Sequence, residues 1–303
     1  MSLKGCIFDG YHEKELFGHL TSMWKNKFNV YPQLPFAKIF EIETLNINQK
    51  ERDFLLKTNI DYTICDKRDK PLMCIEFDGW SHGYSRSGEY IQIVEDPLRK
   101  KKLKLKLKVA IEHGFPFYII SYDEKEYLSE KIHLTVIDSI IGQTIAKMQF
   151  QSKINEYLKN YQDILDSMSE YERHEYIQDL IISAEVELEL NWDPIAKRAA
   201  EIKHILFTKG ITTKHGYKFL SKPKLPEITD IFDIEGLKRR IEAWKDIKWH
   251  GCEAWCETPK GKVIKRAWVR NFEGMLASPL TIVENIAKLL AFYKASILNG
   301  IEI

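Results

Sequence analysis

The chain has 303 residues, of which 44 % are hydrophobic and 29 % are charged, and its formal net charge is +1. This composition excludes an intrinsically disordered chain, and the near-neutral charge requires any nucleic-acid-binding surface to be local. No stretch approaches the roughly 18 consecutive apolar residues of a membrane-spanning helix, and the length allows one large domain or two ordinary ones.

The cysteines and the N-terminal residues bear on the cellular compartment. Five cysteines form an odd and sparse set, which is typical of a reducing compartment. The first ten residues lack the apolar run of a secretory signal. We therefore expect a soluble, cytoplasmic protein with no membrane partner.

The first predicted elements are a helix over residues 11–25 and a strand near Val30. Residues 44–58 are polar and predict a loop with a short helical turn. Glu13 lies one turn before the apolar stripe of the helix. It either stabilises the helix N-terminus through the helix dipole or belongs to a functional site. The stripe comprises Leu16, Phe17, Leu20, Met23 and Trp24.

Residues 59–83 predict two short strands joined by the polar turn D-K-R-D-K-P. The two-residue period of a strand puts Glu76 and Asp78 on one face, and an antiparallel hairpin brings Asp61 beside them. Three like charges on one face repel each other unless a cation lies there. With His82 close in sequence, these acids predict a site for a hard divalent ion, Mg²⁺ with Mn²⁺ as the alternative.

A strongly basic helix is predicted after this hairpin. Asp96 and Pro97 have the residue types of an N-cap and a first helical position, and Gly114 marks the end. The alternation of Leu and Lys leaves a strand over residues 103–109 as an alternative. The apolar run 115–122 then predicts a buried strand, and the order of elements predicts an α/β fold.

The second half predicts a mostly helical region that ends in a β-hairpin and a last helix. Helical spacing extends over residues 124–200, and a hairpin over 252–270 turns at T-P-K-G. Ser278 and Pro279 predict the start of the final helix. We place the boundary between two domains at residues 148 and 149, so that the domains span 1–148 and 149–303.

Basic residues interleaved with aromatics suggest nucleic-acid contacts in both halves. Residues 202–225 contain no acid, although a solvated loop with ordinary buried aromatics is the alternative interpretation. Cys252 and Cys256 lack a second pair of ligands, which disfavours a zinc site. The candidate nucleic-acid contacts are Lys101, Lys104, Lys209, Lys214, Lys218, Lys265, Arg266 and Arg270.

The runs I-D-Y-T-I-C-D and L-M-C-I-E-F-D-G-W-S-H resemble the core of the PD-(D/E)XK, restriction-endonuclease-like nucleases. The similarity is greatest to the branch of very-short-patch-repair-like endonucleases. It continues in E-D-P-L-R-K and in E-H-G-F-P-F-Y-I-I, and upstream in E-K-E-L-F-G-H-L. The resemblance covers residues 10–122 and implies a restriction-endonuclease-like core, in which helices flank a mixed sheet.

The resemblance also implies roles for particular residues. Asp61 and Glu76 would hold the metal together with the backbone carbonyl of Phe77, and Glu13 would make an outer or second-metal contact. Asp78 stands where the usual motif has its lysine, so the group that orients the attacking water differs here. The candidates for that group are His82 and Lys100.

The function predicted on this basis is Mg²⁺-dependent endonucleolytic hydrolysis of DNA, with RNA left open as the substrate. A double-strand cut needs two active sites and so a homodimer or sequential nicking. Two alternatives remain: a catalytically inactive nucleic-acid-binding protein that keeps the nuclease fold, and a glycosidase that uses the acids as general acid and base. The glycosidase alternative gives the basic helix no role.

Overall fold

A computed structural model describes residues 10–78, 82–84, 90–92, 97–121, 124, 126–212, 214–221, 249–271 and 276–303. The chain divides into two compact units, Met1–Glu126 and Tyr127–Ile303. The predicted boundary at 148/149 falls inside a continuous helix, Val136–Asn160. No helix in the described part of the chain is long and apolar enough to cross a membrane.

The first unit is mixed α/β. Two short 3₁₀ turns lie between its first strand and second helix. Its elements in chain order are α1 (Tyr11–Trp24), β1 (Asn29–Pro35), α2 (Gln49–Leu56), β2 (Asn59–Cys65), β3 (Pro71–Asp78), β4 (His82–Tyr84), β5 (Tyr90–Gln92), α3 (Pro97–Glu112) and β6 (Phe117–Ser121).

The central sheet of this unit has the strand order β1-β2-β3-β6. Strands β1, β2 and β3 are antiparallel neighbours, whereas β6 pairs with β3 in parallel after the α3 crossover. This arrangement confirms the predicted mixed sheet flanked by helices. The two inner strands are buried along most of their length, which fits their run of β-branched and aromatic residues.

Two helices of this unit test the sequence prediction. Residues 97–112 form the predicted basic helix, so the alternative strand over 103–109 is wrong. Residues 49–56 form an eight-residue helix rather than a single turn, because Asn48 and Glu51 make a reciprocal capping box at its start.

The second unit combines helices with a three-stranded sheet of order β7-β8-β9. The predicted helix over 124–150 begins only at Val136, where Thr135 and Asp138 form a capping box. Its elements in chain order are α4 (Val136–Asn160), α5 (Gln162–Asp166), α6 (Glu170–Trp192), α7 (Pro194–Thr208), β7 (His215–Phe219), β8 (Trp249–Thr258), β9 (Gly261–Arg270) and α8 (Pro279–Leu298).

The predicted hairpin and final helix are confirmed in this unit. Strands β8 and β9 pair in register from Trp249–Arg270 to Thr258–Gly261. Helix α8 begins after the N-cap Ser278, whose side chain accepts a hydrogen bond from the Thr281 backbone. Its apolar stripe is buried, and the Cys256 thiol on β8 lies 3.8 Å from the carbonyl oxygen of Ala291 on α8.

Candidate functional site

The first unit brings two carboxylates together at the end of the β2–β3 hairpin. Tyr62 pairs with Ile75, so the next step of the antiparallel register sets Asp61 opposite Glu76. Their side chains are close enough to share a hydrogen bond, and the negative charge of Asp61 raises the cost of charging Glu76. The predicted convergence of Asp61 and Glu76 is therefore confirmed.

Asp61 is held by two donors on neighbouring strands. The backbone N–H of Phe77 donates to Oδ2 at 2.8 Å, and the side-chain amide of Gln33 donates to Oδ1 at 3.1 Å. Gln33 has a φ of 53°, in the left-handed region that a residue with a side chain rarely adopts. Such strain is maintained only where the surroundings require it, and it is common at functional sites. Here it accompanies an amide directed at the Asp61 carboxylate.

Glu76 is almost completely buried, with 6 % of its surface exposed. Burial, together with the negative charge of Asp61, raises its pKa to about 8, although the ammonium group of Lys106 acts in the opposite direction. A carboxyl group whose pKa is moved toward neutral pH by burial and a like charge is a typical feature of a functional site.

Lys106 is the residue that the sequence analysis missed. It projects from α3, is itself only 5 % exposed, and forms an ion pair with Glu76. Its Nζ also donates to the carbonyl oxygen of Asn59 at 2.6 Å. Helical spacing could have identified it. Lys106 lies three and four residues before Val109 and Ala110, which are both buried, so it shares their face of the helix.

Helix α1 is attached to the same region through Tyr62. The Tyr62 hydroxyl donates to the backbone carbonyl of Glu13 at 2.7 Å. Burial raises the pKa of Tyr62, and the charges of Asp61 and Glu13 raise it further, so both acids lie close to this phenol. Glu13 therefore belongs to the neighbourhood of the site.

Among the described side chains, no group of three or more His, Cys, Asp or Glu poised to hold a metal occurs. Asp61 and Glu76 make a pair of carboxylates, and the backbone carbonyl of Glu13 accepts a hydrogen bond from the neighbouring Tyr62 hydroxyl. The sequence analysis expects Glu13 to make an outer or second-metal contact, and that role stays a prediction.

Three further predicted residues have side chains outside the described part of the structure. Their backbones place Asp78 at the last position of β3, His82 at the first position of β4 and Lys100 in the first turn of α3. Their roles stay predictions.

The donor set fits a small divalent ion. Mg²⁺ is commonly held by one or two carboxylates and several waters, and the apposed pair Asp61 and Glu76 supplies two hard oxygen ligands. The negative charge of Asp61 helps to raise the pKa of Glu76. A cation bound between the two carboxylates would offset their repulsion and favour the ionised form of Glu76.

A basic groove of about 430 Å³ lies between α2 and α3. Its floor includes Phe54 and Leu105, and the ammonium group of Lys102 lies 5.4 Å from the Phe54 ring centroid. The predicted contacts Lys101 and Lys104 line this groove. Three more lysines that the sequence analysis did not single out also line it: Lys50, Lys102 and Lys108.

The predicted basic residues of the second unit are distributed over different surfaces. Lys209 follows the end of α7 and Lys214 precedes β7, and both are exposed. On β9, strand alternation puts Lys265 on one face and Arg266 and Arg270 on the other. Lys218 on β7 shares the face of Arg266, since both contact the Glu253 carboxylate, at 2.9 Å and 2.7 Å respectively.

Comparison with known families gives one match. A family model described as "Protein of unknown function (DUF2726)" matches residues 10–133. No curated protein and no solved structure matches the chain. The matched segment begins next to α1 and ends beyond β6, so it contains all the residues of the Asp61–Glu76–Lys106 site.

Proposed function

We propose that the first unit is a divalent-metal-dependent endonuclease that hydrolyses phosphodiester bonds of DNA, with the restriction-endonuclease-like core that the sequence motifs imply. One observation carries the proposal: Asp61 from β2 and Lys106 from α3 both interact with the buried carboxyl group of Glu76 on β3. Two acids and a lysine are the residue types of the PD-(D/E)XK motif. The lysine, absent from β3 because Asp78 stands there, is supplied by the helix.

The side chains at this site would have different roles in phosphodiester hydrolysis. A bound Mg²⁺ or Mn²⁺ would polarise the phosphate and lower the pKa of a coordinated water. Asp61 and Glu76 hold that ion, and Gln33 and the Phe77 amide fix the direction of the Asp61 carboxylate. Lys106 keeps positive charge beside Glu76, where it orients the carboxylate and favours negative charge developing on the phosphate.

The basic groove between α2 and α3 supports the choice of substrate. Lysines on the rim of a groove provide the phosphate contacts that dominate nucleic-acid affinity. They extend along the outer side of the same helix that delivers Lys106. A double-strand cut by such a unit requires a homodimer or sequential nicking, because each site cleaves one strand.

A plasmid-cleavage assay tests the activity. Supercoiled DNA is incubated with Mg²⁺, with Mn²⁺ or with EDTA, and the variants are Asp61→Asn, Glu76→Gln and Lys106→Met. We expect metal-dependent nicking by the wild type and losses of at least about 100-fold in all three variants. Lys57→Met is the control, since it removes an exposed lysine of the first unit that does not line the basic groove. Cleavage that persists in Asp61→Asn and Glu76→Gln would overturn the proposal.

One observation favours a second candidate, a nucleic-acid-binding protein without catalysis. Lys106 already neutralises Glu76, and such an ion pair is stable in the absence of a metal. This candidate predicts no Mn²⁺ binding by isothermal titration calorimetry and DNA affinity that Asp61→Asn leaves unchanged. Stoichiometric Mn²⁺ binding that Asp61→Asn abolishes supports the nuclease instead.

A further inference from the structure

The three-stranded sheet of the second unit has an outer face that differs in chemistry from its inner face. Residues of β8 and β9 alternate, and the inner row of Cys252, Ala254 and Cys256 is buried on the side where Cys256 contacts α8. The other row points away from α8. This outer face is defined by Gly216 and Lys218 on β7, Gly251, Glu253, Trp255 and Glu257 on β8, and Lys262, Ile264, Arg266, Trp268 and Arg270 on β9.

Two tryptophan rings on the outer face lie against glycine backbone. A Cβ at Gly251 would stand 2.3 Å from Cζ3 of Trp268, and a Cβ at Gly216 would stand 2.7 Å from Cζ2 of Trp255. Any side chain at either position would push the ring off the sheet. The glycines therefore let each indole lie close to the cross-strand neighbour with which it pairs.

The Trp268 ring is also accessible. Its residue is 40 % exposed, and its cross-strand neighbour has no side chain to cover the ring. A large exposed indole held in a fixed position by backbone is not explained by packing of the core, since the buried face of β9 is made by Val263, Ala267 and Val269.

Positive charge surrounds these rings. Glu253 is almost buried and contacts two cations, Lys218 and Arg266, whose side chains are 63 % and 65 % exposed. One carboxylate shared by two cations leaves a net positive charge on that row. The ammonium group of Lys262 lies 4.3 Å from the Trp255 ring centroid. Arg270 lies two residues beyond Trp268 on the same face.

We infer that the outer face of the β7–β8–β9 sheet binds single-stranded nucleic acid, with bases stacked on Trp268 and Trp255 and phosphates contacted by the surrounding cations. Aromatic platforms flanked by basic side chains recognise unpaired bases, because every base offers a π-face that stacks without regard to sequence. In a duplex the bases are paired and stacked on each other, so their faces are not accessible to side chains on the surface of a sheet. An apolar protein partner is disfavoured by the charged rows on both sides of the rings.

Fluorescence anisotropy with labelled oligonucleotides tests this inference in the full-length protein. The probes are an oligo-dT and an oligo-rU of about 15 nucleotides and a DNA duplex of the same length, in about 0.1 M salt with EDTA. We expect both single strands to bind and to quench tryptophan fluorescence. Duplex binding through the basic groove of the first unit should not depend on Trp268, and the assay requires no cleavage, so its outcome is distinguishable from that of the proposed nuclease.

The variants separate stacking from a general loss of structure. Trp268→Leu should weaken single-strand binding by about 5- to 100-fold, whereas Trp268→Phe, which keeps an aromatic face, should weaken it by less than about 5-fold. Trp192→Leu is the control, because Trp192 lies on α6 outside the sheet and donates to Gln149. Equal binding by Trp268→Leu and wild type, or equal losses in folded Trp268→Leu and Trp268→Phe, would overturn the inference. So would a loss of duplex binding in Trp268→Leu as large as its loss of single-strand binding.

A second measurement covers the case in which Trp268→Leu fails to fold. The dependence of log affinity on log salt concentration should become shallower by about 0.7 for each of Lys262→Gln and Arg266→Gln, as expected when one phosphate contact to a single strand is lost. Circular dichroism confirms folding of each variant. An unchanged slope in both variants contradicts the assignment of this face.

Discussion

Replacement of Lys106 by methionine gives the sharpest test of the buried site, because it leaves Glu76 without its cation. The Lys106 and Glu76 side chains are only 7 % and 8 % exposed, so neither can be satisfied by bulk water after the other is removed. Lys106→Met keeps the length of the side chain and removes only the ammonium group. The loss should therefore reflect the interactions of that group with Glu76 and with the Asn59 carbonyl.

The expected magnitude depends on pH. Burial raises the pKa of Glu76 to about 8 from an ordinary value of 4.5, so the stability that this group contributes is complete below about pH 4.5 and is lost as pH rises through 8. Lys106 opposes that rise, and its removal raises the Glu76 pKa further. At pH 5 the carboxyl is protonated, and the variant should lose about 1–3 kcal/mol for unsatisfied polar groups. At pH 9 the variant must either keep Glu76 protonated or bury an unpaired carboxylate, and the loss should reach about 3–5 kcal/mol.

Urea unfolding followed by circular dichroism at pH 5, 7 and 9 measures these differences. Lys104→Met is the matched control, because it makes the same chemical change at an exposed position of α3 and should alter the free energy of unfolding by no more than about 0.5 kcal/mol. The double variant Glu76→Gln/Lys106→Met should lose the pH dependence. A Lys106→Met loss that matches the control, or that is larger at pH 5 than at pH 9, would refute this account of the site.

Three further outcomes are expected. Gln33→Gly suits the positive φ of this position but removes the amide that donates to Asp61. We therefore expect the free energy of unfolding to change by less than about 1 kcal/mol, while Mn²⁺ affinity measured by calorimetry falls. Unchanged Mn²⁺ affinity would count against the positioning role of Gln33. Gly142→Ala should lower the free energy of unfolding by about 1–3 kcal/mol, because its Cβ would stand 2.5 Å from the Trp192 carbonyl oxygen, whereas Gly18→Ala, which has open space, should not lower it. Burial raises the pKa of Asp193 to about 6, so the stability that this group contributes is lost as pH rises through that value. Asp193→Asn should therefore flatten the pH dependence of the free energy of unfolding between about pH 4 and 6. An unchanged pH profile in urea unfolding would contradict this.

Local patterns in the sequence identified much of the first unit. The alternation of residues in the hairpin was enough to set Asp61 opposite Glu76, because the side-chain period of a strand and the pairing of a hairpin depend only on neighbouring residues. Pro97 and Gly114 bracketed helix α3 for the same reason, since signals at helix ends act within about one turn. The predicted N-cap, Asp96, lies outside the described residues. The order of these elements predicted an α/β fold, and the resemblance in the motifs implied the mixed sheet.

The contacts of particular side chains were less accessible to sequence reasoning. Lys106 is one of six lysines on α3, and the alternation of Leu and Lys hid which of them faces the sheet. The sequence named Lys100 as one candidate for orienting the water, and that role stays a prediction. The rotation of α3 about its own axis delivers Lys106 to Glu76, and that rotation is set by the packing of Val109 and Ala110.

The sequence by itself determined the pair of acids, the basic helix and the hairpins, because each depends on periodicity or capping over a few residues. Only the tertiary structure decided that Lys106 neutralises Glu76, that a strained Gln33 reaches Asp61 across a strand, and that Trp268 lies on Gly251. These contacts join residues 17 to 30 positions apart in the chain. Their geometry follows from how sheets twist and helices dock, which no local pattern of residues specifies.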